Sequence, residues 1–170
     1  MRKLKVGIVG CGGIANGKHL PSMKKIGNFE IVALCDLIVE RAEKAKEEYG
    51  TEDARVYTAY REMLKEEKDI EAVYVLTPNS VHAPVSIAAM EAGKNVMCEK
   101  PMAKTYAEAK AMVETAERTG KILTIRYQSR YRGDSAYLKQ ACMNGDLGEI
   151  YYAKAHAVRR RAVPTWGVFL

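Results

Sequence analysis

The sequence predicts an α/β fold, a doubly wound parallel sheet with helices on both faces. Strand-like and helix-like segments alternate from the first residue, and the strand-like runs read as buried and non-alternating, as expected of strands covered on both sides. The length of 170 residues allows one full domain and the beginning of another. With 48% hydrophobic and 28% charged residues the composition is that of an ordinary globular chain, which excludes disordered, collagen-like and mucin-like classes. The apolar runs, such as residues 72–76, fall far short of the roughly 20 residues that span a bilayer.

Each element has its own signal. Residues 4–9 are short, apolar and β-branched and run into Gly10-Cys11-Gly12-Gly13, which predicts a buried strand ending in a turn, with a helix over 14–26. Residues 30–35 read as a second strand, and 39–49 as a charged helix with Gly50 in its C-terminal capping position. A weak strand at 55–58 and a short helix at 62–68 precede the strongest strand, 71–76. Thr77-Pro78-Asn79 breaks that strand, and Pro84 suits the first turn of a helix ending at Gly93. Residues 95–98 form the next strand. Thr105 and Glu108 have capping-box spacing and open a helix stopped by Gly120, before a strand at 121–127.

The pattern changes beyond this domain of residues 1–127. Asp134 is expected to cap a helix running to Asn144, and Gly145 to Gly148 turn the chain into a strand at 149–158 with Tyr151, Ala153, Ala155 and Ala157 on one face. Residues 128–170 therefore read as the truncated start of a second, α+β domain. Its strand, lacking sheet partners, is expected to pair with another copy, fold back or be disordered, which makes a homo-oligomer through 149–158 one outcome.

Charge is uneven: residues 1–120 hold 18 basic and 18 acidic side chains, and residues 121–170 hold 9 and 3, so the whole net charge of +6 lies in the last fifty. A basic third could serve nucleic acid or an anionic ligand, but no interleaved aromatic or glycine-rich RNA signature accompanies it, and no nucleic-acid partner is expected. Cys11, Cys35, Cys98 and Cys142 form no C-x-x-C pair, which indicates reduced, mostly buried thiols and no metal site. The basic start and the apolar stretch after it imitate a secretory signal, but four glycines make a poor signal core. A cytoplasmic protein is expected.

Those glycines fit another pattern. Gly10-x-Gly12-x-x-Ala15 matches the dinucleotide fingerprint of a Rossmann-type fold: Gly10 for the tight turn, Gly12 for close approach of the pyrophosphate, Ala15 for helix-to-strand packing. Asp36 ends the next strand 21 residues after Ala15, where a carboxylate accepts hydrogen bonds from the adenosine ribose. A helix cap is the other role open to Asp36. A 2′-phosphate would meet that carboxylate with no cation at Leu37 or Ile38, so NAD is favoured over NADP, Arg41 being the residue most able to reverse the preference.

Gly7-Ile8-Val9-Gly10-Cys11-Gly12-Gly13-Ile14-Ala15, the segment from Thr77-Pro78-Asn79 to His82, and Glu91-Ala92-Gly93-Lys94-Asn95-Val96-Met97-Cys98-Glu99-Lys100-Pro101 together resemble the Gfo/Idh/MocA oxidoreductases. The resemblance implies hydride transfer between NAD and a secondary alcohol of a sugar, inositol or related polyol. It extends the cofactor site to Gly13, Ile14, Glu99 and Lys100, with Thr77, Pro78, Asn79 and His82 bordering the nicotinamide ribose and phosphates. It also implies that Lys100 is catalytic and that Pro101 is a cis proline. Without the resemblance, Lys100 reads equally as a surface lysine paired with Glu99. Family members continue into a second domain that supplies the substrate pocket, an Asp and His pair and the usual dimer interface. None of His19, His82 or His156 takes the role of general base by motif, whereas Tyr131, Arg159 and Trp166 resemble positions near the cleft. The alternative to an enzyme is a non-catalytic NAD(H)-binding or subunit-interaction module.

Overall fold

The computed structural model describes residues 2–158 and 160; Arg159 and Trp166 lie outside the described residues. The chain divides into two compact units, residues 1–126 and 127–170.

In the first unit six strands, β1 (Leu4–Val9), β2 (Phe29–Cys35), β3 (Arg55–Tyr57), β4 (Ala72–Val75), β5 (Asn95–Glu99) and β6 (Leu123–Arg126), form one sheet in the order β3-β2-β1-β4-β5-β6. Every neighbouring pair is parallel. Parallel neighbours require crossovers, and the crossovers are helices: α1 (Leu20–Ile26), α2 (Val39–Tyr49), α3 (Tyr60–Glu66), α4 (His82–Glu91) and α5 (Tyr106–Thr119). The connection from β1 runs outward to β2 and β3, and that from β3 returns to β4. The order therefore reverses between β1 and β4, the place where open α/β sheets bind ligands.

Alternate residues of each strand serve opposite faces, which is why apolar runs without a polar phase are needed. Val6 and Ile8 pack with Leu20 and Met23 of α1 and Ala42 and Ala45 of α2. On the other face Val9, Val73 and Val75 pack with Met63 of α3, Val85 and Met90 of α4 and Met112 of α5. Burying each of these larger side chains contributes roughly 1.5–3 kcal/mol.

Local chemistry sets the helix ends. Thr105 Oγ1 accepts from Glu108 N–H at 3.2 Å while the Glu108 carboxylate accepts from Thr105 N–H at 3.2 Å, the reciprocal box the sequence predicts. Gly50 does end α2, its N–H donating to Lys46 O, but at φ −71° rather than in the left-handed form. Glycine is demanded there by space, since a Cβ would lie 2.9 Å from Lys46 O. Cys11, Cys35 and Cys98 are buried and Cys142 is exposed; burial pushes each of the three buried thiols up to about 12.

Three expectations are corrected. The helix after β1 does not begin as a plain α-helix: Ala15–His19 form a wider π turn before α1, whose second residue, Pro21, has no N–H to give. In the second unit helix α6 (Gly133–Asn144) starts behind Arg132, and Asp134 does not cap it. The Asp134 carboxylate is instead held by the Arg132 guanidinium at 2.7 and 3.0 Å and by Ser135 N–H at 2.8 Å. Residues 149–158 contain no strand, and each is exposed. A strand exists only through a neighbour's hydrogen bonds, and no neighbour for this segment stands among the described residues.

Candidate dinucleotide site

The site is built where the first turn meets the end of β4. Gly10 has φ +97°, and a Cβ on it would lie 2.7 to 2.9 Å from the Leu76 carbonyl and the Thr77 nitrogen. Main chain there packs directly on main chain. Its N–H donates to Cys35 O at 2.8 Å, and Leu76 N–H donates to Val9 O at 2.8 Å, which carries the sheet's pairing one residue past the strand ends.

Gly12 and Gly13 differ from Gly10 in kind. A Cβ on either would meet nothing within 4 Å, and neither has a left-handed backbone. The protein itself gives no reason for glycine at these two positions, whereas a ligand resting on the turn does. The Asn16 amide Nδ2 donates back to Cys11 O at 2.7 Å and Gly12 O at 3.0 Å, tying the turn to the helical segment that follows it. The N–H groups of Gly12, Gly13 and Ile14 stand at the start of the helical segment, where no earlier turn supplies acceptors. Ala15 is fully buried beneath them. In the sequence Asn16 carries no signal beyond an amide side chain one residue past the fingerprint.

Asp36 follows β2. Its Oδ2 accepts from Cys11 N–H at 2.8 Å and its Oδ1 from Ile38 N–H at 2.9 Å. The carboxylate thus braces the glycine turn, and the bond to Ile38, two residues on, is a local turn rather than a cap on α2, whose cap position is Ile38. It is half-buried and keeps part of its acceptor capacity for a ribose. Leu37, beside it, is exposed, and Arg41 is exposed with no carboxylate within reach among the described residues.

Beyond β4, Thr77 presents a buried hydroxyl without a partner, Pro78 is exposed, and Asn79 opens a short 3-10 turn. His82 is 1% exposed. Its Nδ1 lies 2.7 Å from Pro101 O and its Nε2 2.9 Å from Thr77 O, so both ring nitrogens face main-chain carbonyls, and the N–H of a neutral ring donates to one of them. The ring joins the end of β4 to the loop after β5 and offers no nitrogen outward.

That loop carries Glu99-Lys100-Pro101, and the Lys100–Pro101 peptide is cis. Glu99, the last residue of β5, is buried, whereas Lys100 is exposed. The two do not pair through their side chains. Glu99 Oε1 receives His19 Nε2 at 2.7 Å and Arg126 Nη1 at 3.0 Å, and Oε2 accepts from Lys100 N–H at 3.1 Å. Burial alone would raise the Glu99 carboxyl, but the donors from His19, the Lys100 peptide and Arg126 outweigh it and hold the group below its ordinary 4.5. Between those two values the unfolded chain binds a proton that the folded chain refuses. The stabilisation is therefore complete above pH 4.5 and disappears as pH falls through the lower, folded value. In urea unfolding between pH 6 and pH 3, Glu99→Gln should lose less stability on acidification than the unsubstituted chain; identical slopes would contradict the assignment.

Residues 4–127 match the Gfo/Idh/MocA oxidoreductase family, NAD-binding Rossmann fold, which covers most of the chain. The chain belongs to the Gfo/Idh/MocA oxidoreductases. It is 39% identical over 166 residues to D-glucoside 3-dehydrogenase of Escherichia coli, covering 98% of this chain and 46% of that protein. It is 32% identical over 164 residues to inositol 2-dehydrogenase of Salmonella typhimurium, covering 96% and 48%. Among solved structures it resembles the WlbA dehydrogenase of Bordetella pertussis in complex with NADH and UDP-GlcNAcA, at a TM-score of 0.82 and 30% identity over 88% of this chain and 42% of that one. This Gfo/Idh/MocA chain thus spans about half the length of these relatives. NAD is the main cofactor of its Rossmann fold, and the open glycines and the carboxylate at the end of β2 suit it. Among the described residues no helix is long and apolar enough to cross a membrane.

Proposed function

We propose that the chain is the cofactor-holding half of a dehydrogenase that moves hydride between NAD and a secondary alcohol of a sugar, inositol or related polyol. The observation that carries this reading is the division of labour at the reversal of strand order. Gly12 and Gly13 leave room that nothing in the protein fills, Asp36 stands at one end of that edge, and the exposed Lys100 follows a strand at the other.

The cofactor, when bound, accepts or returns the hydride. The turn N–H groups hold its phosphates, and Asp36 accepts from the adenosine ribose. Thr77, Pro78 and Asn79 border the nicotinamide end, and His82 supports them from below through the Thr77 carbonyl. The Lys100 ammonium faces the reacting oxygen, stabilises the negative charge that develops there and passes the proton on. This reading assigns no general base to a residue of this chain, which covers 46% and 48% of the length of the two relatives. A cytoplasmic location belongs to the same reading, supported by three buried, unpaired thiols. So does pairing of residues 149–158 with a second copy: Tyr151, Tyr152 and Val158 are exposed, and the segment has no strand partner among the described residues to take up its N–H and C=O groups.

Calorimetric titration with NAD, NADH, NADP and NADPH tests the cofactor part. Saturable binding of NAD and NADH is expected, with a preference over the phosphorylated pair, and Asp36→Ala should weaken it by about tenfold or more, the loss of a hydrogen bond to a charged acceptor. Absence of binding to all four would defeat the reading.

A further inference from the structure

Three donors from three separate elements converge on one buried carboxylate: His19 from the π turn behind the glycine loop, Arg126 from the end of β6, and the peptide N–H of Lys100. His19 and Glu99 side chains are each only 6% exposed, and Arg126 is 29% exposed. A carboxylate taken this far from water needs each of its donors. On the other side of the lysine, the His82 ring lies between the Pro101 and Thr77 carbonyls, 2.7 and 2.9 Å from them, with one N–H of a neutral imidazole to give to one of the two. The peptide before Lys100 and the Pro101 carbonyl, one peptide beyond it, thus both face buried side chains, while the lysine's own ammonium has no carboxylate within 4 Å among the described residues.

The π turn explains how His19 arrives there. A π turn is an α-helix with one residue inserted, and one inserted residue rotates everything before it against everything after it by about 100°. With a regular turn over Ala15–His19 the imidazole would not keep this bearing relative to Ala15, whose small side chain must stay against the sheet. The wide turn satisfies both: Ala15 is buried under the glycine loop, and His19 faces Glu99 and meets Tyr74 of β4 edge-on at 6.3 Å. The helical segment that receives the phosphates and the strand end that carries the lysine are thereby joined by one side-chain contact.

We infer that His19 and Arg126 are positioning residues for Lys100, acting through Glu99 to fix the lysine's peptide relative to the glycine turn. The inference rests on the reading of Lys100 as the residue that handles the proton. Neither residue touches the reacting atoms. His19 sets the distance from the cofactor turn, Arg126 sets the lateral place of the β5 end against β6, and the Glu99 carboxylate passes both constraints to the Lys100 N–H. Removing either donor leaves Glu99 buried with one fewer partner, and the carboxylate then turns toward the donor that remains.

Residue-resolved amide hydrogen exchange on the 170-residue chain reads this directly and needs no cofactor. In His19→Leu and Arg126→Met the Lys100 amide should exchange about tenfold faster, while amides of Val73 and Val75 in the core stay within about twofold. His19→Gln and Arg126→Lys, which keep a donor, should restore most of the protection and guard against a variant that merely fails to fold. Unchanged exchange at Lys100, or equal acceleration throughout the sheet, would overturn the inference. A double-mutant cycle on NADH affinity then links it to the site: His19→Leu should weaken NADH by about tenfold with Lys100 present and by less than about twofold in the Lys100→Met background. Additive losses would mean that His19 acts on the glycine turn alone, and would also overturn it. A chain that binds no NADH would defeat the cofactor reading instead, and the exchange measurement would still decide the positioning.

Discussion

Replacing Gly10 by alanine is expected to remove a large part of the stability of the first unit. Two independent penalties meet at this position. The backbone has φ +97°, a region L-residues enter at about 1–2 kcal/mol. The added Cβ would also lie 2.7 Å from the Leu76 carbonyl carbon, 2.8 Å from its oxygen and 2.9 Å from Thr77 N. These are main-chain atoms in a hydrogen-bonded register, with Leu76 N–H given to Val9 O and Gly10 N–H to Cys35 O, so nothing can swing aside. Relief requires β1 and β4 to part where they are buried on both faces, an overpacking term of about 1–3 kcal/mol. The sum, roughly 2–5 kcal/mol, is a large share of the 5–15 kcal/mol typical of a domain. It should lower the thermal midpoint by about 10 °C for a chain of this size. A circular-dichroism melt of Gly10→Ala within about 2 °C of the unsubstituted chain would show that the turn does not press on β4 as described.

That penalty arises from tertiary contact, and the same distinction governs what could be read in the sequence. Strands β1 and β4 were legible because a strand covered on both faces must be apolar at every position, and Val6, Ile8, Val73 and Val75 meet that demand within a few residues of chain. The cap of α5 was legible because Thr105 and Glu108 satisfy each other locally. The fingerprint and Asp36 were legible as a spacing because one crossover sets their distance in sequence.

The Glu99 cluster was not legible. His19, Glu99 and Arg126 are 80 and 27 residues apart and meet only through the placing of β5 and β6 beside the returning β4. No local preference foretells the π turn, since its reason, the contact between His19 and Glu99, lies on another strand. His82 reads in isolation as a polar residue at a helix start, and only the fold shows its two ring nitrogens facing the Thr77 and Pro101 carbonyls. The strand expected at 149–158 failed for the converse reason. Its residues suit a strand, but strand structure belongs to a pair, and no partner lies among the described residues.

Gly12→Val should show the opposite behaviour to Gly10→Ala, although the two glycines are only two positions apart in sequence. Its backbone is open to any residue and its Cβ direction is empty to 4 Å, so the folded state can take the side chain without strain. Loss of glycine also narrows the unfolded ensemble, which favours folding by about 0.4–1 kcal/mol. Stability should stay level or rise slightly. Binding should not survive, because the isopropyl group fills the space above the turn and holds the pyrophosphate away from the N–H groups of Gly12, Gly13 and Ile14, with the Asn16 amide keeping the turn from retreating. A loss of at least about 100-fold in NADH affinity is expected, equivalent to about 2.7 kcal/mol, measured by calorimetry beside a melt of the same sample. Retained affinity would mean that the dinucleotide does not rest on this turn. Equal loss of affinity and stability would mean that Gly12, like Gly10, answers to the protein's own packing. Only loss of binding with the fold intact assigns the empty direction at Gly12 to the ligand, which divides one glycine motif into a residue that closes the sheet edge and a residue that leaves it open.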